Sequence, residues 1–379
     1  MKKVVVAGYA RSPFTLARKG ELASVRPDRL AAQTVAGLVA RTGVRVDDLE
    51  DLLLGCAFPE GEQGLNMARL VVLMAGLPRS VGGQTINRFC GSSMQSIHSA
   101  AGAILMGAGE VFVCAGVESM SRVPMMGYNV LPDPDLARDL PGAYIGMGDT
   151  AENVAARWGI GRAEQEAFAV ASQVKAAAAR AAGRFTAEIV PITDKRGNVV
   201  TEDGCLRPET TLETLASLKP AFSATGVVTA GTSSPLTDGA SATIVCSLDY
   251  AEKNGLEPLA LVKSIAVSGC DPEIMGIGPV GASLKAAARA GIDVKSIDVV
   301  ELNEAFASQS LACIRDLGLD AERVNIDGGA IALGHPLGAT GARIVGKAAS
   351  IMKREGRKTA LATQCIGGGQ GIATILEAL

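Results

Sequence analysis

The chain is 379 residues long, 48% hydrophobic and 20% charged, with a net charge of -3, which suits a globular protein of two or three domains. Aromatic residues make up 3% of it and no basic cluster stands out, so a nucleic-acid partner has little support. Eight scattered cysteines without a CxxC pair, and two histidines, His98 and His335, argue against a zinc site and for a reducing compartment.

The opening run "MKKVVVAGYARSPF" holds too short an apolar stretch for a signal peptide. No other segment is long enough to span a bilayer, so the expectation is a cytoplasmic protein with no membrane partner. From there, short β-branched runs alternate with alanine-rich segments of helical period, the pattern of an α/β protein. "KKVVVAGYA" is the first strand-like run, a helix is predicted over Asp28 to Thr42, and "DLLLGCAF" is the next strand. In "NRFCGSSMQSIHSAAGAI", Cys90 stands where a strand-like run gives way to a helix predicted over Ser92 to Met106. A cysteine there is either a small buried hydrophobe or a nucleophile whose pKa is lowered by the free N–H groups and dipole of the helix start. His98, mid-helix, reads as structural.

After "VFVCAGVE" the rhythm changes, roughly from Glu118 to Ser247. A loop-like stretch rich in proline and glycine leads into two helices, "TAENVAARWG" and "RAEQEAFAVASQVKAAAARAAG", the second with Gly183 at its capping end. So long an excursion is more often functional than a linker, and it is expected to cover a site. The strand rhythm returns in "LVKSIAVSG", "DVVELNEAF" and "TALATQCI", with a helix over Gly338 to Lys353. Three pairs of segments echo one another at an offset near about 250 residues, among them "CGSSMQSIHSAAGAI" with "HPLGATGARIVGKAA". The pattern predicts two related core domains, 1–117 (with 248–258 returning to it) and 259–379, and a loop domain over 118–247.

Four segments could carry chemistry: Cys90 in "NRFCGSS", Asn303 in "NEAF", His335 in "GGAIALGHPLGATGAR" and Cys365 in "CIGGGQG". All four follow strand-like runs, and ligands of parallel α/β sheets bind at the strands' C-terminal ends. Pro336 is favoured in a first helical turn, which puts the His335 imidazole at or near a helix cap. Taken alone, Asn303 reads first as an ordinary N-cap, with Glu304 a buried support. Cys365 is either a buried thiol before a turn or a thiol in a loop of converging N–H groups; "GGGQG" lacks the residues of a phosphate loop. A Cys–His pair suggests acyl transfer through a thioester. A second thiol, with a pKa near about 8.5, can exchange protons with another thiol or an enolate carbon. That combination points to thioester chemistry with carbon–carbon bond making or breaking.

"NRFCGSSMQ", "VVELNEAFA", "NIDGGAIALGHPLGATGAR" and "CIGGGQGIA" together resemble the signatures of the thiolase family, over the whole chain. The resemblance implies two duplicated βαβαβαββ core domains in a five-layered α/β/α/β/α arrangement with an inserted loop domain. It implies coenzyme A thioester chemistry by a ping-pong route, with acyl-CoA and CoA as substrates and no metal or prosthetic group. By the same carry-over Cys90 is the nucleophile, His335 promotes its thiolate, and Cys365 is the acid/base. Asn303 would hold a water that polarises the thioester oxygen together with His335. The N–H groups of Cys90 and Gly367 would form a second oxyanion hole. Ser234 falls where a hydroxyl contacts the pantetheine, Phe222, Met275 and Phe306 fall on apolar walls, and Met147 belongs to the same substrate-contacting group.

Biosynthetic members carry a His-Met-Gly signature where this chain reads "YIGMGDTAEN", with Gly146 in place of the histidine. The short insert and "GTSSPLTDGA" look more like a degradative 3-ketoacyl-CoA thiolase, with a biosynthetic acetyltransferase as the alternative. A non-catalytic acyl-CoA-binding protein is a more distant one, since a binding module needs no reactive thiols. The family implies a homodimer or homotetramer, and some degradative members join a multienzyme β-oxidation complex.

Overall fold

A computed structural model describes residues 2–379. The strands are β1 (Val4–Arg11), β2 (Thr15–Leu16), β3 (Asp51–Gly55), β4 (Gly82–Ile86), β5 (Val111–Ser119), β6 (Ile192–Thr193), β7 (Val199–Val200), β8 (Thr237–Ser247), β9 (Ala260–Gly269), β10 (Val299–Leu302), β11 (Thr359–Ile366) and β12 (Gln370–Glu377). Helices α1 (Pro27–Thr42), α2 (Met67–Met74) and α3 (Ser92–Met106) belong to the first half. The excursion carries α4 (Pro134–Asp139), α5 (Met147–Trp158), α6 (Arg162–Ala181) and α7 (Leu212–Ala216). Then come α8 (Leu248–Asn254), α9 (Gly278–Ala290), α10 (Ala307–Leu317), α11 (Ala330–Leu333) and α12 (Leu337–Glu355).

The two halves repeat one topology. In the first, the order is β4-β3-β5-β8-β1, with β3 parallel to β4 and β5, and β8 antiparallel to β5 and β1. In the second it is β10-β11-β12-β9, with β10 parallel to β11, and β12 antiparallel to β11 and β9. A parallel bridge from Val324 to Val300 stands where β4 stands beside β3. The two half-sheets join where Val5 and Val6 of β1 pair with Leu261 and Ala260 of β9.

Three apolar cores separate five layers. Leu30, Leu38 and Val71 of α1 and α2 pack on Val113 and Ile244 of the first half-sheet. Met94 and Ile97 of α3, with Ile344 and Val345 of α12, fill the space between Val6 and Phe112 on one side and Ala360 and Ile372 on the other. Ala282 and Ala286 of α9, with Cys313 and Leu317 of α10, cover Leu361 and Ile375 of the second half-sheet. Strands covered on both faces have no use for polar alternation, which is why β1 and β5 are buried along their whole length. The central helices approach so closely that side chains are excluded. A Cβ on Gly341 would lie 2.2 Å from the Met94 nitrogen, and one on Gly116 2.2 Å from the Gly338 oxygen.

The border of the excursion differs from the sequence reading. Residues 237–247, placed with the loop domain, form β8, hydrogen-bonded to both β5 and β1 and buried throughout. Its small polar residues look loop-like in isolation; pairing on both sides satisfies their backbone. The intervening segment docks through buried charge. Arg11 holds Glu188 at 2.8 Å and Asp203 at 2.6 Å, while Lys347 holds Glu188 at 3.1 Å and Asp327 at 2.9 Å. The Phe185 ring lies 5.4 Å from the Arg11 guanidinium and 4.7 Å from the Lys347 ammonium. Among the described residues no helix is long and apolar enough to cross a membrane.

Candidate active site

Cys90 sits in a single 3-10 turn, Phe89–Gly91, that feeds α3. The turn is strained and clamped. Phe89 adopts a φ of +42°, a left-handed conformation that costs a non-glycine residue roughly 1–2 kcal/mol. The Phe89 N–H donates to Asn87 Oδ1 at 2.8 Å, the Arg88 N–H to Ser92 Oγ at 2.9 Å, and the Ser92 hydroxyl to the Phe89 oxygen at 2.6 Å. The Gln364 side-chain amide donates to the Cys90 carbonyl. Behind the turn the packing is close, since a Cβ on Gly91 would lie 2.6 Å from Ile366 Cδ1.

The backbone N–H groups of Gly367 and of Cys90 itself bear on the Cys90 sulfur and favour its thiolate. Burial outweighs them and pushes the thiol up to about 12, with Glu118 adding in the same direction. Of the two readings the sequence left open, the helix start does not leave a depressed thiol here, because desolvation of the charged form exceeds what two N–H dipoles return. Cys365 is the penultimate residue of β11 rather than a residue beyond a strand. Burial and the neighbouring Cys90 raise its pKa well above the usual thiol range. Gly368 and Gly369, with φ of +79° and +81°, turn the chain into β12.

His335 also departs from the strand-exit expectation. "AIAL" folds as the short helix α11, and Gly334, with a φ of +101°, breaks it and redirects the chain. A four-residue apolar run cannot be assigned by periodicity; here the flanking Gly329 and Gly334 close a helical turn. Pro336, not His335, occupies the cap position of α12. The imidazole is gripped at both nitrogens, Nδ1 against Thr340 Oγ1 at 2.6 Å and Nε2 against Asn303 Nδ2 at 3.4 Å. An amide donor at Nε2 leaves the proton on Nδ1, which donates to Thr340. Burial, with Arg343 nearby, lowers the imidazole to about 3 and keeps it neutral.

Asn303 directly follows β10, its N–H donating to the Thr363 oxygen at 3.0 Å. Its buried Oδ1 has no protein partner among the described residues. Glu304 is the buried support expected, accepting from Ser172 Oγ at 2.7 Å, Asn325 Nδ2 at 2.8 Å and the Ile331 N–H at 3.1 Å. His98 lies outside the site, its Nε2 2.8 Å from Thr374 Oγ1.

Cys90, His335, Cys365 and Gly367 open onto one cavity of about 700 Å³. Asn303 does not line it and reaches it through His335. Met147, Phe222, Ser234, Met275 and Phe306 line the same cavity, so apart from Asn303, one residue removed behind His335, the site residues expected from sequence line one cavity. Phe222 meets Phe306 edge-on at 5.9 Å, and Gly148 makes room for it, since a Cβ there would lie 2.0 Å from the Phe222 ring. The Ser234 N–H is held by the Ala305 oxygen at 3.0 Å. Met125, Met126, Leu131 and Tyr144 bring the excursion over the mouth, as its length suggested. Thr340 and Gln364 were not singled out from sequence. Both lie inside the quoted segments, yet only their contacts with His335 and Cys90 give them a part.

Chemically, the arrangement offers a shielded thiol, a neutral imidazole that can take its proton, a second thiol and two N–H donors around one sulfur. The chain matches the family model "Thiolase, N-terminal domain" over residues 4–249 and "Thiolase, C-terminal domain" over 256–378. It is 46% identical to the 3-ketoacyl-CoA thiolase of Bacillus subtilis (strain 168) over 389 residues, and 49% identical to that of Aliivibrio fischeri (strain ATCC 700601 / ES114) over 386, covering 100% of each chain. It is similar to the crystal structure of human mitochondrial 3-ketoacyl-CoA thiolase in complex with CoA, with a TM-score of 0.92 at 39% identity, covering 100% of this chain and 98% of that one.

Proposed function

The chain belongs to the thiolase family, and we propose that it cleaves 3-oxoacyl-CoA with CoA to acetyl-CoA and a shortened acyl-CoA, through an acyl group carried on Cys90. The observation that carries this reading is the meeting of two thiols with a neutral imidazole in one cavity. His335 takes the Cys90 proton as the sulfur attacks the 3-oxo carbon. The bond between that carbon and the α-carbon breaks, its electron pair leaves as the acetyl-CoA enolate, and Cys365 protonates the enolate carbon. The Cys365 thiolate then takes the proton of the incoming CoA thiol, whose sulfur attacks the acyl-Cys90 thioester. Cys90 leaves and recovers its proton from His335. Atoms and charge balance over the two halves without an outside acid or base.

The N–H groups of Cys90 and Gly367 are suited to the oxyanion of the tetrahedral states, an interaction worth about 3 kcal/mol per donor. The partnerless Oδ1 of Asn303 supports its role in holding a water beside His335. Met147, Phe222, Ser234, Met275 and Phe306 are assigned to the pantetheine and acyl walls. CoA enters as substrate, and the route needs no metal or prosthetic group. A homodimer or homotetramer, association with a multienzyme β-oxidation partner and a cytoplasmic location are part of the same reading.

Condensation of two acetyl-CoA molecules is the reverse reaction and is the second reading, favoured by Met147. Gly146 on the cavity wall favours the degradative direction, because it leaves room beside the substrate that a histidine would take. CoA-dependent thiolysis of acetoacetyl-CoA and of a long-chain 3-oxoacyl-CoA, measured side by side, separates the two. Comparable cleavage of the long substrate supports the degradative reading, reaction of acetoacetyl-CoA alone supports the acetyl-specific one, and no reaction with either leaves a binding protein. Cys90→Ala is expected to abolish turnover in every covalent version.

A further inference from the structure

Glu118, the penultimate residue of β5, is 1% exposed, and no cation forms an ion pair with it among the described residues. Buried carboxylates are ordinarily matched by a positive side chain. This one is held by dipoles instead. Its oxygens accept from the Ala57 N–H at 2.8 Å, the Phe58 N–H at 3.3 Å, Gln63 Nε2 at 2.7 Å and the Gly338 N–H at 3.0 Å, with the Cys56 thiol at 3.7 Å.

Those donors belong to two separate parts of the site. Gly338 lies in the first turn of α12, three residues after His335, and the cap residue Pro336 offers that turn no side-chain acceptor. Glu118 supplies the missing acceptor from another strand, where helix N–H groups and dipole favour a negative charge. Ala57 and Phe58 form the turn beyond β3 and share an apolar cluster with Met120, Leu337 and Cys90. One carboxylate therefore joins the helix start behind His335 to the wall behind Cys90. The joint leaves no slack, since a Cβ on Gly338 would lie 2.8 Å from the Cys56 Cα and 2.9 Å from the Glu118 carboxylate.

We propose that Glu118 is a positioning residue for the acyl transfer: its buried carboxylate fixes the first turn of α12, and His335 with it, against the turn that backs Cys90. The inference rests on the thiolase reading of the site. The charge has a second effect, because it opposes a thiolate on Cys90. Burial is the larger cause of the raised Cys90 thiol, and the Glu118 charge adds to it in the same direction. The other titratable groups lining the cavity with Cys90 are His335, Cys365, Glu60, Tyr144 and Asp149, and the Cys56 thiol lies against Glu118. The Arg88 guanidinium is engaged by Gln370 at 2.9 Å.

The test uses the full-length enzyme and two variants, with thiolysis of acetoacetyl-CoA and alkylation of Cys90 by iodoacetamide at pH 8.5, followed by mass spectrometry. Glu118→Gln keeps the volume but removes the charge and turns an amide N–H₂ toward N–H donors. It is expected to lower kcat at least about tenfold with KM within about threefold, while alkylation of Cys90 becomes about threefold faster or more. Glu118→Asp keeps the charge and withdraws the oxygens, so kcat falls while alkylation stays at the wild-type rate. A simply loosened fold would move both readouts alike in both variants, and that result overturns the proposal, as does a kcat within twofold of wild type in Glu118→Gln. If Glu118→Gln does not fold, Glu118→Asp decides alone: unchanged kcat or accelerated alkylation refutes the proposal. An inactive wild-type protein would instead remove the proposed function itself.

Discussion

His335 carries its proton on Nδ1 because Thr340 accepts it at 2.6 Å. Thr340→Val should lower kcat roughly tenfold with little change in KM, and Thr340→Ser should restore it, since the hydroxyl fixes the ring's tautomer and orientation. Steady-state kinetics of the two variants checks this, and equal activity in Thr340→Val would show that the ring needs no such anchor. A pH prediction follows from both histidines, each lowered by burial to about 3. An unfolded histidine titrates near about 6.5, so on unfolding each takes up a proton from solvent at any pH between these values. Their contribution to stability is present above about pH 6.5 and is lost as pH falls, by up to ~1.4 kcal/mol per pH unit for each. His98→Gln should flatten the dependence by about that amount between pH 6 and 4.5 in denaturant titrations; an unchanged slope would mean that His98 titrates within the fold. At this scale the side chains that meet in the cavity, Cys90, His335 and Cys365, were legible in the sequence, because each sits beside a run of small residues with no other evident use. Thr340 and Gln364 were not, since a hydroxyl or amide becomes meaningful only once a particular ring nitrogen or carbonyl is beside it. The state of the Cys90 thiol stayed open for a related reason: a helix start can be read from residue types, but the desolvation that overrides it cannot.

At the scale of elements, the packing of α3 against α12 leaves a sharp expectation. Gly341→Ala would drive a methyl to 2.2 Å from the Met94 backbone and should destabilise the protein by about 2 kcal/mol or more, read as a fall in thermal midpoint and activity together. A similar methyl at Gly102, in open space on the same layer, should be tolerated. Gly146 differs again, since its φ of -65° and ψ of 143° suit any residue. Gly146→His should leave the fold intact and lower long-chain relative to acetoacetyl-CoA thiolysis about tenfold; an unchanged ratio would place the acyl chain elsewhere. The central helices and most strands were legible because their apolar periodicity is strong, and the helix predicted over Ser92 to Met106 coincides with α3. β8 and α11 were not. The first hides buried strand residues behind Thr, Asp, Gly and Ser, and the second is a run too short for any period to show.

The molecule as a whole is held by charges that span its parts. Lys347 of α12 meets both Glu188 of the excursion and Asp327, with all three side chains less than one-tenth exposed. Lys347→Met should cost roughly 3 kcal/mol, because a buried pair broken from one side leaves its anions without compensation. Chemical denaturation of the variant checks this, and a loss under 1 kcal/mol would mean that Arg11, Arg184 and Arg354 already satisfy those anions. The duplication was legible at this scale because the echoing segments kept their spacing. The ionic seam was not, for it joins Glu188 to Arg11 and Lys347, each more than a hundred positions away, a pairing only the docked excursion reveals.

The glycine contacts at Gly116, Gly338 and Gly341 separate what this scaffold can vary from what it cannot. Cys90 precedes one central helix and His335 the other, and the two cross without room for a methyl group, so the placing of these two side chains is set by backbone. The walls contributed by residues 120–236 meet no such limit and rest on side chains that can be exchanged. Altered substrate preference in descendants of this chain should therefore arise by replacing or grafting that covering segment, while the chemistry beneath it is inherited unchanged.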